Sequence, residues 1–460
     1  MPLSPEAALH AIEQRVVAGA GDAVSLHDRM AQYAVPGVSI ALIADSEIAA
    51  EAGYGLREAG RDEPVTPATR FQACSISKPV AVLAMLRLVE QGVLDLDADV
   101  NEVLTSWRVP PNASWQPHVT LRQIASHSAG LTVSGFPGYR RGAPLPTLTE
   151  ILTGAAPANT AGIRVDTLPG VEFRYAGGGT TVLQQVLEDV TGRRFADVMR
   201  DLVLSPLGMS RSDYVQPLPG ELRAEAATAH GTDGQPVEGR WHVYPELAAA
   251  GLWTTPGDLA RFAIAVQRAA AGDAEAILGP TATAAMLTPH SGPASRLGGL
   301  DSVGLGLFLG GPWFGHSGGN EGFRCHLVAH RHAGCGVAVM TNSDRGHELV
   351  AEILDAVARE MAWPDWTPSQ RSGDEGPATP IDALTGVYEL RSGVLVELVA
   401  RDGDELELTL SAQPPIRFLR SSATDFGSFS VDTTLAFEDG ELILRQNDAE
   451  VRCRRVERYT

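Results

Sequence analysis

Lysine is almost absent from this 460-residue chain: of its 36 lysine and arginine side chains, Lys78 is the only lysine. Surface and ion-pairing roles have gone to the guanidinium, which stays protonated in proteins, whereas a buried amine can lose its proton and act as a base. Cysteine is scarce as well. Cys74, Cys325, Cys335 and Cys453 form no CxxC pair and suit a reducing compartment better than a disulfide framework. There is no basic run, and a formal net charge of −20 repels nucleic acid and anionic membrane. No stretch approaches the roughly 18 uninterrupted apolar residues that a spanning helix needs. The opening MPLSPEAALHAIEQ has no basic segment leading into an apolar one. These absences lead us to expect a soluble, cytoplasmic protein that binds neither nucleic acid nor membrane and carries no cofactor. No internal repeat is visible.

What is present is an ordinary globular composition, 44% hydrophobic, long enough for one large domain and a smaller one. A helical stretch over Pro5–Ala18 precedes two β-like runs, Gly37–Ile43 and Ile48–Leu56, which flank a polar Asp45-Ser46 turn and read as a hairpin. VAVLAMLRLVE, Val80–Glu90, is apolar nearly all round and stops at Gln91-Gly92, the pattern of a helix buried on most sides and closed by glycine. Helical patterns and Gly/Pro-rich loops such as SGFPGYRRGAPLP alternate from Leu94 to Ala263. CHLVAH and CGVAVMTNS read as neighbouring strands ahead of an amphipathic helix over His347–Ala362. Proline, glycine and charge then concentrate in Pro364–Pro380, a linker signature. Seven or eight short alternating runs follow, from GVYEL to VRCRRVE. The expected organisation is a domain over 1–363 with a mostly helical insertion at about 95–260, a linker at 364–380, and a small antiparallel β-barrel over 381–460.

The chemistry gathers in QACSISKPV. Proline is tolerated only in the first turn of a helix, so Pro79 places the start of the buried helix near Ser75, with Lys78 one turn further on. Residues three apart share a face, so the amine can reach the hydroxyl. The positive end of the helix dipole stabilises developing negative charge there and opposes protonation of the amine. A serine with an adjacent amine is a nucleophile with its base. Cys74 beside Ser75 is a rival nucleophile on paper; a small thiol packed under the site is the expected role. The Cys325–Cys335 stretch, with His326, His330 and His332, superficially resembles a metal cluster. Read as a strand entering a turn at Ala333-Gly334, it points Cys325 and His326 to opposite faces and does not match zinc spacing, so no metal is expected. GGGT, Gly177–Thr180, lacks the lysine and spacing of a phosphate loop and reads as a tight turn into a helix over Thr181–Val190.

Four ordered stretches carry a resemblance to the serine β-lactamase and penicillin-binding-protein superfamily, in its class C β-lactamase, D-aminopeptidase and esterase branch. SISK (Ser75–Lys78) is similar to the nucleophile motif. VTLRQIASHSAGL (Val119–Leu131) is similar to the threonine-led helix ending in His-Ser/Thr-Ser/Ala-Gly-Leu. PGVEFRYAGGGTTVLQQVLEDVTG (Pro169–Gly192) stands in the place of the tyrosine motif, and FGHSGGNEGF (Phe314–Phe323) in that of the third, where this branch often has His-x-Gly. With AAAGLWTTPGDLARF (Ala248–Phe262) the likeness spans roughly residues 20–360. It implies an α+β fold, an α/β sandwich plus an all-α subdomain, followed by a barrel similar to the lipocalin-like domain that some members carry.

The resemblance also implies roles. Ser75 would attack a carbonyl and form an acyl-enzyme, Lys78 would take its proton, and Tyr175 would relay a proton to the leaving group; otherwise Tyr175 is a core tyrosine with a bonded hydroxyl. His316 would edge the site on a strand, and the backbone N–H groups of Ser75 and Gly319 would form the oxyanion hole. Gly177, Gly318, Asn320 and Arg324 would meet substrate, the two glycines at 318 and 319 leaving room for the acyl group. Arg324 could equally pair with one of the 56 acidic residues. His127 is placed at a helix end away from the nucleophile, in a structural role. Gly177 stands where the family has the asparagine of Tyr-x-Asn, which disfavours β-lactam turnover and leaves ester cleavage intact.

The function expected is hydrolysis or transfer of an ester or amide acyl group by a serine enzyme of the esterase or D-amino-acid peptidase/amidase type, acting on a small molecule or peptide. A penicillin-binding-protein-type thioesterase that releases or cyclises nonribosomal peptides is the alternative. A non-catalytic binding or assembly protein on the same fold, with room for a homo-oligomer, is the reading from another class; retention of Ser75, Lys78, Tyr175 and His316 together speaks against it.

Overall fold

A computed structural model describes residues 3–17, 24–291 and 300–366, and all of 380–456 except 392–393, 402–404, 411–414, 421–423, 429–433, 439 and 447–448. Two compact units divide the chain, Met1–Pro368 and Ser369–Thr460. The expected linker at 364–380 lies mostly outside the described residues, which omit 367–379.

The first unit is built on a seven-stranded antiparallel sheet. Its strands are β1 (Gly37–Ala44), β2 (Glu47–Gly55), β3 (Ser302–Val303), β4 (Phe308–Gly310), β5 (Trp313–Asn320), β6 (Phe323–His330) and β7 (Gly336–Thr341), in the order β2-β1-β7-β6-β5-β4-β3. The N-terminal hairpin thus pairs with the last strand of the unit, Val38 opposite Thr341. Period-two alternation sorts the side chains into two layers. Val38, Ile40 and Leu42, with Val337 and Val339, face helices α1 (Pro5–Gln14) and α5 (Gly346–Glu360). Ala41 and Ile43, with Ala338 and Met340, face the other core, which holds α2 (Ser77–Glu90) and α4 (Pro256–Ala270). Both cores are apolar because a sheet covered on both faces has no side left for water.

Helix α2 buries nearly every residue from Ser77 to Leu88. It is entered through a 3₁₀ turn, Cys74–Ile76, so the chain begins to wind at Cys74 and Pro79 sits in the first α-turn, where a missing N–H costs nothing. Strand β4 pairs with β5 only across Trp313–Gly315. From His316 onward that edge of β5 has no strand beside it among the described residues, and the Cys74–Ile76 turn packs against the strand.

The glycine triplet differs from expectation: Gly177–Gly179 are the first turn of helix α3 (Gly177–Thr191), not a turn before it. The reason is a crossing segment, 132–134, that accepts the helix's first N–H groups. Gly177 N donates to Ser134 O at 3.0 Å and Gly178 N to Val133 O at 2.8 Å. A Cβ on Gly178 would lie 2.3 Å from Thr132 O, while one on Gly179 would meet nothing closer than Leu131 Cδ1, at an ordinary 3.4 Å.

The second unit is a closed antiparallel barrel of eight strands. They are β8 (Gly386–Arg391), β9 (Val394–Arg401), β10 (Glu405–Leu410), β11 (Ile416–Arg420), β12 (Asp425–Ser428), β13 (Thr434–Glu438), β14 (Glu441–Gln446) and β15 (Ala449–Val456), and β15 closes on β8. Alternate residues such as Tyr388, Leu398, Leu406, Phe418, Leu435 and Leu442 fill the interior.

The crossing segment makes the triplet testable. Gly178→Ala should lower stability by about 1–3 kcal/mol through overpacking against backbone. Gly179→Ala should be neutral or gain up to about 1 kcal/mol, because alanine is the better helix former. Urea unfolding of the two variants checks this; equal effects would mean that segment 132–134 does not constrain the helix start.

Candidate active site

Ser75 sits in the 3₁₀ turn, directly after Cys74, whose backbone is left-handed at φ +53°. One turn on, Lys78 is 3% exposed. Its Nζ donates to Ser75 Oγ at 2.9 Å and to Ala249 O at 2.9 Å. Burying an amine is costly unless it is hydrogen-bonded, so segment 247–252 has to be fixed in place. It is fixed by distant parts of the chain. Ala248 N donates to Gln184 Oε1 at 3.1 Å, Asn320 Nδ2 to Ala250 O at 3.1 Å, and Leu252 N to Ser77 Oγ at 3.1 Å. Ala73 N donates to Leu252 O at 2.8 Å, and Asn320 Nδ2 also reaches Gln72 Oε1 at 2.7 Å.

The other ring-bearing residues surround the amine. Tyr175 lies just before α3, its ring centroid 5.0 Å from Lys78 Nζ. On β5, His316 is buried with its ring 6.3 Å from that of Tyr175. Its Nδ1 lies 2.5 Å from the carbonyl oxygen of Ser317, which makes Nδ1–H the donor and leaves Nε2 as a buried acceptor with no partner among the described residues. Burial, then the Lys78 charge, pushes its pKa down to about 3, so His316 is a neutral imidazole.

Several expectations change with the structure. His127 is not remote: its ring stands 4.4 Å from that of Tyr175, because the chain turns back at Ser126 and His127 takes a left-handed backbone, φ +55°. Arg324 is occupied by protein, with Nη2 2.9 Å from Asp344 Oδ1 and Nη1 donating to Asn320 O and Phe323 O. The Asn320 amide likewise ties Gln72 to Ala250. Gly318 has a different steric reason from the one expected. A Cβ there would lie 2.5 Å from Ala73 O and 2.8 Å from Cys74 Cβ, so the glycine lets the nucleophile turn sit against the strand. Gly319 is open by comparison, its Cβ meeting only Arg324 at 3.5 Å, on the uncovered edge beside Ser75. Cys74 and Cys325 are buried thiols under the turn, and burial pushes the Cys325 thiol well above its ordinary range. Phe308 stacks on Tyr175 at 6.4 Å and touches the His316 ring at 5.0 Å. Nothing in the sequence marked it, since it comes from β4 across the sheet edge.

A serine hydroxyl bonded to a buried amine, a tyrosine beside that amine and an open strand edge are the elements that serine acyl-transfer enzymes assemble. The Beta-lactamase family model matches residues 25–361. The chain belongs to the beta-lactamase family. It is a serine hydrolase of that family, and its relatives are named for several activities. Penicillin-binding protein 4 of Amycolatopsis lactamdurans is 27% identical over 79% of this chain and 95% of its own length. Esterase EstB of Burkholderia gladioli is 34% identical over 40% of this chain and 46% of its own. A D-aminopeptidase of Gluconobacter oxydans is 29% identical over 40% and 33%. Among solved structures, an octameric penicillin-binding protein homologue from Pyrococcus abyssi superposes with TM-score 0.65 at 23% identity, covering 93% of this chain and 98% of that one. SurE, solved with D-Leu, gives TM-score 0.59 at 22% identity over 94% and 97%. The D-amino acid amidase of Ochrobactrum anthropi SV3 gives 0.58 at 22% over 77% and 99%. Among the described residues no helix is long and apolar enough to cross a membrane.

The buried rings give the protein an acid limit. Burial depresses His127, His316 and His326, the last two to about 3 and about 4, against an ordinary 6.5. The unfolded chain therefore takes up protons below pH 6.5 that the native state refuses. Their contribution is complete above pH 6.5 and is lost as pH falls towards the native values. Glu246, buried with no other described residue bonded to its carboxylate, is pushed up from 4.5 to about 7 by burial, against a smaller pull from its own backbone N–H, and works in the opposite sense. Each group contributes up to about 1.4 kcal/mol per pH unit, so three imidazoles outweigh one carboxyl. The urea midpoint should fall between pH 7 and pH 5; a flat profile would mean that water reaches these rings.

Proposed function

We propose that this protein cleaves an ester or amide through an acyl-enzyme on Ser75. The observation that carries the reading is the 2.9 Å contact between Lys78 Nζ and Ser75 Oγ in a water-poor pocket. As the free amine, Lys78 accepts the hydroxyl proton while Oγ attacks the substrate carbonyl carbon. The oxyanion is received by the N–H groups of Ser75 and Gly319, donors of a kind whose loss typically costs about 10²–10³ in rate. As the tetrahedral species collapses, the bond to the leaving group breaks and that group takes a proton from Tyr175, which is replenished from the Lys78 ammonium. Water, deprotonated by the same relay in reverse, then releases the acid and frees Ser75. His316, neutral, serves as a hydrogen-bonding partner of the leaving-group side rather than as a charge.

The substrate class proposed is a small ester or a D-aminoacyl amide. The names of the esterase and D-aminopeptidase relatives support it, as do the fold-level likenesses to the D-amino acid amidase and to SurE with D-Leu. Gly177 argues against efficient β-lactam turnover, because it supplies no amide where the family's Tyr-x-Asn has asparagine, and a Cβ there would sit tightly against Ser134 O at 3.0 Å. Peptide release or cyclisation by a penicillin-binding-protein-type thioesterase is the second reading, supported by the small barrel that follows the first unit in the chain.

Intact-protein mass after a short, acid-quenched exposure to p-nitrophenyl acetate tests the acyl-enzyme. One acetyl group should appear on the wild type and none on Ser75→Ala. Lys78→Arg should remain folded yet lose acylation, since a guanidinium does not give up its proton. Retained activity in Lys78→Arg, or an adduct on Ser75→Ala, would sink the assignment.

A further inference from the structure

His127 takes no part in the reaction as written, yet the fold aims it at Tyr175. The helix Leu121–Ala125 ends at Ser126, and His127 then adopts a left-handed backbone that costs a non-glycine residue about 1–2 kcal/mol. That conformation turns both acceptors of one residue towards the segment carrying the tyrosine. Its carbonyl oxygen accepts from Arg174 N at 2.7 Å, and its Nδ1 accepts from Ala176 N at 3.2 Å. The backbone N–H groups of the two residues that flank Tyr175 are thereby held by a single residue. The imidazole also covers one face of the phenol ring, at 4.4 Å and tilted by 36°, while Phe308 stacks on the ring at 6.4 Å and 17°. Because Nδ1 accepts, the proton of the neutral ring sits on Nε2. Burial, Lys78 and His316 together keep the ring neutral, so the acceptor persists at neutral pH.

We propose that His127 is a positioning residue for Tyr175: its carbonyl oxygen and Nδ1 fix the N–H groups of Arg174 and Ala176, the residues on either side, and its ring sets the plane of the phenol that hands a proton to the leaving group. This rests on the acyl-enzyme reading above, in which Tyr175 is the proton relay. Loosening the clamp should leave attack by Ser75 nearly intact and impair departure of groups that need a proton. A displacement of about 1 Å at such a relay costs on the order of 10² in rate.

The test is a series of aryl acetates running from p-nitrophenyl to phenyl, with kcat/KM plotted against leaving-group pKa. His127→Gln removes the acceptor at the Nδ1 position, and His127→Phe removes it while keeping a ring. Both should fall off more steeply than wild type as the leaving group becomes more basic, with a loss of about 10² on phenyl acetate and less than about tenfold on p-nitrophenyl acetate. His127→Asn places its amide oxygen near the lost nitrogen and tolerates positive φ, so it should return the slope towards wild type. Parallel plots for Gln and wild type, or an Asn variant as steep as Gln, would overturn the proposal. A wild type that forms no acetyl adduct would instead refute the acyl-enzyme reading itself.

Discussion

The site depends on holding one amine out of water. Lys78 lies among apolar residues of α2, and only Ser75 Oγ and Ala249 O receive its hydrogen bonds among the described residues. A buried polar group without partners costs roughly as much as a hydrogen bond is worth in isolation, so the two acceptors have to be in place before the lysine can be inside. That requirement propagates outwards. Ala249 stands in a short helical segment that is tied to α3 by Gln184, to β5 by Asn320 and to the start of α2 by Ser77. Three stretches separated by more than a hundred residues therefore converge on one turn, and loosening any of them exposes the same group.

The electrostatic surroundings follow from the same constraint. The chain has 20 more acidic than basic residues, yet among the described residues no carboxylate pairs with Lys78. A carboxylate at contact would pin the proton that the reaction has to move. Neutral rings stand there instead: Tyr175, His127 and His316, with the two imidazoles kept neutral first by burial and then by the lysine itself. Glu246, three residues before Ala249, is buried with no other described residue bonded to its carboxylate and is shifted towards its protonated form. The pocket thus excludes stray charge of either sign, which keeps the local dielectric low and strengthens each hydrogen bond to the reacting atoms.

Much of this was legible from residue order. The lone lysine three positions after Ser75, the proline that dates the helix start, and the alternating runs at both ends of the chain each reflect a local rule, so helix α2, the β1–β2 hairpin and the barrel strands stand close to where the patterns placed them. The departures share a cause. Gly178 is glycine because Thr132 crosses the helix start, Gly318 because Ala73 presses on the strand, and His127 reaches Tyr175 because a helix ends one residue earlier. Arg324 finds Asp344 rather than open space, and Phe308 enters the site from a strand with no motif at all. None of these contacts lies within one element, so no period or cap could announce it.

The sequence by itself determined that Ser75 and the single amine meet, because a helix start and a three-residue spacing are local facts that backbone geometry turns directly into neighbours; the fold class was legible through the resemblance that the four ordered motifs carry. The tertiary structure alone decided which groups surround that pair. The uncovered edge of β5, the carbonyl of Ala249 and the clamp on Tyr175 exist only once the N-terminal hairpin has joined β7 and segment 247–252 has been threaded between α3 and the sheet. Burial and partner choice are properties of the closed packing, and no stretch of chain carries them before it closes.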